Sequence, residues 1–152
     1  MSLTLDLTAK ATGLFLPSDV QAVTFSFEKV FSSLKKSVYL IDVDCYTLAE
    51  MQKLNTEQRH LEKPTDVLSF PLFLNQEAWE AFSQPEIALG TIIICPEYAE
   101  AQGTPLLDLL HHGILHILGF DHETQEQVWR SVEHAILAEE TTQGLAMRGI
   151  PD

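Results

Sequence analysis

At 152 residues the chain is the size of one domain, and 45% hydrophobic residues are enough to build one core. No stretch approaches the roughly 20 uninterrupted apolar residues of a membrane span, and the opening Met1 to Thr8 lacks the basic start and apolar run of a signal peptide, so a cytoplasmic protein with no membrane partner is expected. Nine Lys plus Arg against 22 Asp plus Glu give a net charge of −13, an acidic balance that ordinarily repels nucleic acid and is the main fact against a nuclease.

The charge is unevenly placed. Lys53, Arg59 and Lys63 fall within eleven residues, while from Leu107 onward only Arg130 and Arg148 are basic. A polyanion would have to approach by the central segment; the plainer alternative is that acidity keeps a small protein soluble. Cys45 and Cys95 form no Cys-x-x-Cys pair and read as small, reduced side chains.

In chain order, the alternation of Leu3, Leu5 and Leu7 predicts a first strand. Pro17-Ser18-Asp19 opens a helix to about Lys36, with Val20, Val23, Phe27, Val30 and Phe31 as its buried stripe. Residues 37–44 read as a second strand, after which Thr47 can cap a short helix through Leu48, Met51 and Leu54. The basic residues follow in a loop from Gln58 to Pro64. Asp66 to Leu72, bracketed by Pro64 and Pro71, reads as a third strand near a sheet edge. A polar stretch with Trp79 and Phe82 leads to an apolar strand, Ile87 to Cys95, suited to a central position. Pro96 begins a short helix, Thr104-Pro105 opens an apolar helix over 106–118, and Thr124 opens a last helix to about Ala146. The pattern predicts one α+β domain over 1–152: roughly four strands in a mixed sheet, about five helices, and a ligand-bearing helix packed on the sheet.

That helix carries the chemistry. His112-Gly113-Ile114-Leu115-His116-Ile117-Leu118-Gly119-Phe120-Asp121-His122 places three imidazoles at spacings of four and six. Residues four apart share a helix face with Cβ atoms roughly 5–6 Å apart, so His112 and His116 can bind one ion at about 2.0–2.1 Å. Gly119 suits the left-handed turn that brings His122 round as a third ligand. Three nitrogens leave a fourth zinc position open to water, the arrangement of a catalytic site. Asp108, Asp121 and Glu123 are placed to orient the ligands. His111 lies about 100° round the helix from His112 and reads as structural; His60 and His134 have no spacing argument, although His60 adjoins Arg59. The metzincin proteases share this spacing but carry a glutamate base after the first histidine, where this chain has Gly113. The metal cradle is present without the protease's base. Zinc lowers its water's pKa to roughly 7, so a missing glutamate does not make the site inert.

Leu54-Asn55, Arg59, Pro64-Thr65-Asp66-Val67-Leu68-Ser69-Phe70-Pro71, Leu89-Gly90 and the histidine segment together resemble the YbeY endoribonuclease family of rRNA maturation factors, from about Val38 to Leu137. The resemblance implies a metal-dependent endoribonuclease specific for single-stranded RNA. It would act in 16S rRNA 3′-end processing and ribosome quality control, on an rRNA precursor or ribosomal subunit rather than DNA. It also implies one Zn2+ held by His112, His116 and His122, with Arg59 completing the catalytic set; a guanidinium can grip a phosphate bidentately and offset developing charge. Ser69 is a further candidate on a wall that reads as mainly architectural. Thr91 stands where the family usually has aspartate after Leu-Gly, and Phe120 where tyrosine is common.

Two rival classes are a metal-dependent hydrolase of the peptidase type, which Gly113 opposes, and a non-catalytic ribosome-assembly factor with structural zinc, which the acidity permits. Three imidazoles suit several divalent metals, so zinc is not the only ion the residues allow.

Overall fold

A computed structural model describes residues 2–121 and 125–142 of the chain. Four strands, β1 (Ser2–Leu7), β2 (Val38–Cys45), β3 (Val67–Pro71) and β4 (Glu86–Ile94), form one sheet in the order β1-β2-β4-β3. The first two and β4 run parallel, and β3 runs antiparallel to β4. The apolar fourth strand is therefore interior and the proline-bracketed third strand is an edge, as their compositions predict. Among the described residues six α-helices accompany the sheet: α1 (Pro17–Val30), α2 (Leu48–Arg59), α3 (Gln76–Glu80), α4 (Pro96–Gln102), α5 (Leu106–Ile117) and α6 (Glu126–Thr142). None is long and apolar enough to cross a membrane.

The larger core fills one face of the sheet. Leu3, Leu5, Tyr39, Ile41, Val43, Ile92 and Ile94 meet Val23 and Phe27 of α1, Leu110, Ile114 and Leu115 of α5, and Trp129 and Ile136 of α6. On the other face a smaller cluster joins Met51 of α2 to Leu68, Ile93 and Cys95, with Tyr98 of α4 against it. A bulge lets both ends of β4 supply the larger core. Leu40 and Ile41 of β2 pair with Ala88 and Gly90, leaving Leu89 as an extra residue. One inserted residue shifts the alternation, so Ile87 and Leu89 before it share the larger core with Ile92 and Ile94 after it. Gly90 has φ of +156°, and a Cβ there would lie 2.4 Å from the Phe70 carbonyl oxygen.

Local chemistry sets the helix ends. Thr47 and Glu50 form a reciprocal capping box on α2, with Glu50 N–H donating to Thr47 Oγ1 at 3.2 Å and Thr47 N–H to Glu50 Oε1 at 3.1 Å. Helix α1 stops at Val30, short of the Lys36 expected, because Phe31 leaves helical geometry and a turn through two serines returns buried Leu34 to the core. Two short elements go beyond the sequence reading: a 3-10 turn at Thr12–Leu14 and α3, which is capped by Asn75 and buries Trp79 against Tyr39 at 5.5 Å between centroids. The expected start of the last helix at Thr124, and its end at Ala146, lie outside the described residues.

Candidate active site

The site grows from the buried helix α5. Leu109, Leu110, Ile114, Leu115 and Ile117 pack inward, and His112 and His116 stand half-buried on the margin of that stripe. Their Nε2 atoms are 3.1 Å apart, with ring centroids 4.6 Å apart. Trp129 of α6 covers both rings, at 4.9 and 5.0 Å between centroids. Gly113, between them in sequence, is buried toward the sheet: a Cβ there would sit 2.8 Å from Ile92 Cγ2. The missing glutamate is thus a packing requirement too, since this position presses the helix onto β4.

The helix ends in a Schellman turn. Gly119, at φ +94°, donates its N–H to His116 O at 3.0 Å, and Phe120 N–H reaches Leu115 O at 3.0 Å. The Phe120 ring then tilts against Phe31 of α1 at 5.8 Å. Where the family commonly has a tyrosine, this chain uses the ring for packing. Asp121 follows and lines the cleft. The third expected ligand, His122, and the neighbouring Glu123 lie outside the described residues.

Arg59, fifty-three residues before His112 in the chain, reaches the same cleft. It is the last residue of α2, in the final helical turn rather than in the loop expected from sequence, and it is exposed. The chain then reverses through His60, at φ +57°. Three side chains of α2 hold the returning loop: Asn55 Nδ2 donates to Lys63 O at 2.8 Å, Thr56 Oγ1 to Leu61 O at 3.2 Å, and Gln52 Nε2 to Glu62 O at 3.5 Å. Asn55 is fully buried. The loop delivers Thr65 and Asp66 to a cleft of about 500 Å³ whose lining also includes Arg59, Ser69, His112, His116 and Asp121. Strand β3 is its wall, and Ser69 Oγ makes a long contact, 3.5 Å, with Gly113 O.

Two imidazole nitrogens at about 2.0–2.1 Å from one tetrahedral ion would stand about 3.3 Å apart, and the observed 3.1 Å fits that demand without moving either ring far. Among the described residues no three His, Cys, Asp or Glu side chains cluster to hold an ion. Asp108 lies one turn before His112 and is half-buried. His111 takes the structural role expected of it: Nδ1 donates to Leu107 O at 2.6 Å, Nε2 meets the Glu140 carboxylate, and the ring stacks on Phe27. Glu140 is only 2% exposed, so this contact ties α6 to the back of α5. His60 and His134 are exposed and absent from the cleft lining. Burial pushes both thiols, Cys45 and Cys95, above the ordinary cysteine range, which keeps them protonated and unreactive.

Sequence reasoning missed three contributors. Trp129 carries no spacing signal, because its approach to the imidazoles depends on how α6 lies across α5. Asp66 was read only as the start of a strand. Asn55 stood in a motif without a role, and its one available signal was an asparagine in the third turn of a helix, where that residue is a weak helix former.

A family model described as endoribonuclease YbeY matches residues 18–140. The endoribonuclease YbeY of Sulfurovum sp. is 37% identical over 133 residues, spanning 80% of this chain and 82% of that protein. That of Sulfurihydrogenibium sp. is 39% identical over 108 residues, 66% of this chain and 67% of its own length. The Corynebacterium efficiens protein of the same name is 34% identical over 137 residues, 80% of this chain and 64% of that one. In fold, the solution structure of TM1509 from Thermotoga maritima is similar, with a TM-score of 0.54 at 19% identity over 97% of this chain and 100% of that one.

Proposed function

The chain belongs to the endoribonuclease YbeY family, whose enzymes cut RNA, and from that premise we propose that residues 1–152 act as one catalytic domain cleaving single-stranded RNA with a divalent metal, zinc first among them. His112, His116 and His122 are its ligands in this reading. The observation that carries the proposal is the shared cleft: Arg59 from α2 and the imidazole pair from α5 line one cavity of about 500 Å³.

A metal held there supplies Lewis acidity and makes water a usable nucleophile near neutral pH. The rest falls to the protein. Arg59 can grip two oxygens of a bound phosphate through its planar fork and offset charge that develops there in the transition state. Its exposure at the cleft mouth suits a group that meets a polymer. Trp129 limits the freedom of both imidazoles, and Asn55 ties the loop that follows Arg59 back to α2. No side chain at position 113 can act as base. The substrate we assign is an rRNA precursor in the cytoplasm, at the 16S 3′ end or in ribosome quality control.

The deciding experiment incubates metal-loaded protein with single-stranded RNA and, separately, with an unstructured protein. RNA is expected to be cut, Arg59→Ala to lower kcat by about 10²–10³, and His116→Ala to abolish cleavage. Cleavage of the polypeptide alone would overturn the proposal in favour of a peptidase. Equal RNA cleavage by the wild type and both variants would assign the activity to a contaminant.

A further inference from the structure

The free edge of β3 is a surface that the catalytic reading leaves unused. In an antiparallel ladder, successive residues turn their N–H and C=O groups alternately toward the partner strand and away from it. Cys95 N–H donates to Asp66 O, and Leu72 N–H to Leu89 O, each at 2.8 Å. The register pairs Leu68 with Ile93 and Phe70 with Thr91 in the same parity. Even-numbered residues therefore bond to β4, and Val67 and Ser69 turn their main-chain groups outward. Pro71 has the outward parity as well, where a missing N–H costs the ladder nothing. Beyond this edge lies the cleft lined by Arg59, His112 and His116.

We propose that the outward N–H and C=O groups of Val67 and Ser69 bind the bases flanking the cut linkage of single-stranded RNA, an inference that rests on the endoribonuclease reading above. Each residue presents a donor beside an acceptor, the complement of a Watson–Crick edge, which unpaired RNA leaves available. Spacing supports the match. Two residues along a strand advance about 6.6–6.8 Å, roughly twice the 3.4 Å rise of stacked nucleotides, so neighbouring bases reach both positions only when unstacked. Base-paired RNA fails on both counts, and the edge itself then enforces single-strand specificity. An extended peptide could add to the same edge, but the adjoining guanidinium favours a phosphate polymer.

The test compares intact RNA with RNA carrying an abasic residue on either side of the cut linkage. With wild-type protein, loss of one hydrogen-bonded base is expected to raise KM about tenfold, with kcat on saturated substrate little changed. On the protein side, Ser69→Pro deletes the outward N–H without touching the β4 ladder, and its KM for intact RNA should rise to the abasic value and become insensitive to the base. Equal KM for abasic and intact RNA with wild-type protein overturns the inference whether or not the proline variant folds. Displacement of RNA by an extended peptide together with that indifference would give the edge to a polypeptide instead. A loss in Ser69→Ala as large as in Ser69→Pro would assign the contact to the hydroxyl and also overturn it. Wild-type protein that cuts no RNA would sink the endoribonuclease reading as well, and so is told apart from failure of this inference alone.

Discussion

Replacing Gly113 by alanine measures directly how hard α5 presses on the sheet. The added Cβ would stand 2.8 Å from Ile92 Cγ2, 2.9 Å from Cδ1 and 3.0 Å from Cγ1, and Ile92 is fully buried. In an open helix interior the exchange stabilises by about 1 kcal/mol. Overpacking here opposes it by about 1–3 kcal/mol, leaving a net loss of about 0–2 kcal/mol. With Ile92→Ala all three opposing atoms are gone; the helix preference and about 0.8 kcal/mol for a buried methyl group then make Gly113→Ala stabilising by about 2 kcal/mol. The double-mutant cycle should therefore show a coupling of about 2–4 kcal/mol, read from urea midpoints at constant slope. Ile92→Ala alone costs about 2–5 kcal/mol, within the stability of an ordinary domain. Gly113→Ala effects that are equal in the two backgrounds, or a gain of about 1 kcal/mol in the wild type, would refute the contact and with it the reason given for the absent glutamate.

Chelation should abolish RNA binding as well as cleavage, because among the described residues Arg59 is the one cation lining a cleft that also holds Asp66 and Asp121; fluorescence anisotropy with and without zinc checks this, and unchanged affinity contradicts it. With metal present, two or three phosphate contacts at most should give a slope of log K on log salt of about −1.4 to −2, and a steeper slope would mean that Lys53, Lys63 or other basic residues hold the RNA. Asn55→Ala removes the bond to Lys63 O and should cost about 1–3 kcal/mol in urea melts while lowering kcat by loosening Arg59; a stability loss with kcat intact would detach the loop from catalysis. The Tyr39 hydroxyl is pushed from 10.0 up to about 12, by burial first and by its bond to the Glu80 carboxylate second. A folded value above the unfolded one means that this stabilisation is complete below pH 10 and lost as pH rises toward 12, on the order of 3 kcal/mol at most. Tyr39→Phe should flatten that alkaline fall, and an identical fall in the variant would place its cause elsewhere.

Features fixed by a few neighbouring residues were legible in the sequence. Thr47 announces the start of α2, Gly119 the end of α5, and Pro64 with Pro71 an edge strand, because each acts through chemistry within a few residues; the reciprocal bond from Glu50 was added by the structure. Helix α3 escaped because five residues are too few to show a period, and only the Asn75 cap marks it. The β4 bulge escaped because Ala88 to Cys95 is almost continuously apolar, so a change of face leaves no polar residue out of place. The site divides along the same line. His112 and His116 share a helix face, and spacing alone proposes them as a pair. Arg59 meets them only through the order of the sheet and the return of the loop after α2, and no local rule connects positions 59 and 112; the family motif did. Trp129 had neither kind of signal.

A net charge of −13 argues against RNA only if charge acts on a substrate as a sum. Exposed charges beyond about 8–10 Å are largely screened at physiological salt, so a phosphate entering the cleft responds mainly to its lining. Among the described residues of that lining, one guanidinium stands with two carboxylates, a balance that would repel RNA without metal and turn positive with one divalent ion. The cleft admits what can present an unstacked strand to β3 and a phosphate to Arg59 at once. Gly113 belongs to the same arrangement: by giving up a side chain it lets α5 lie close against Ile92 of β4, on the helix that carries the imidazole pair into the cleft walled by β3.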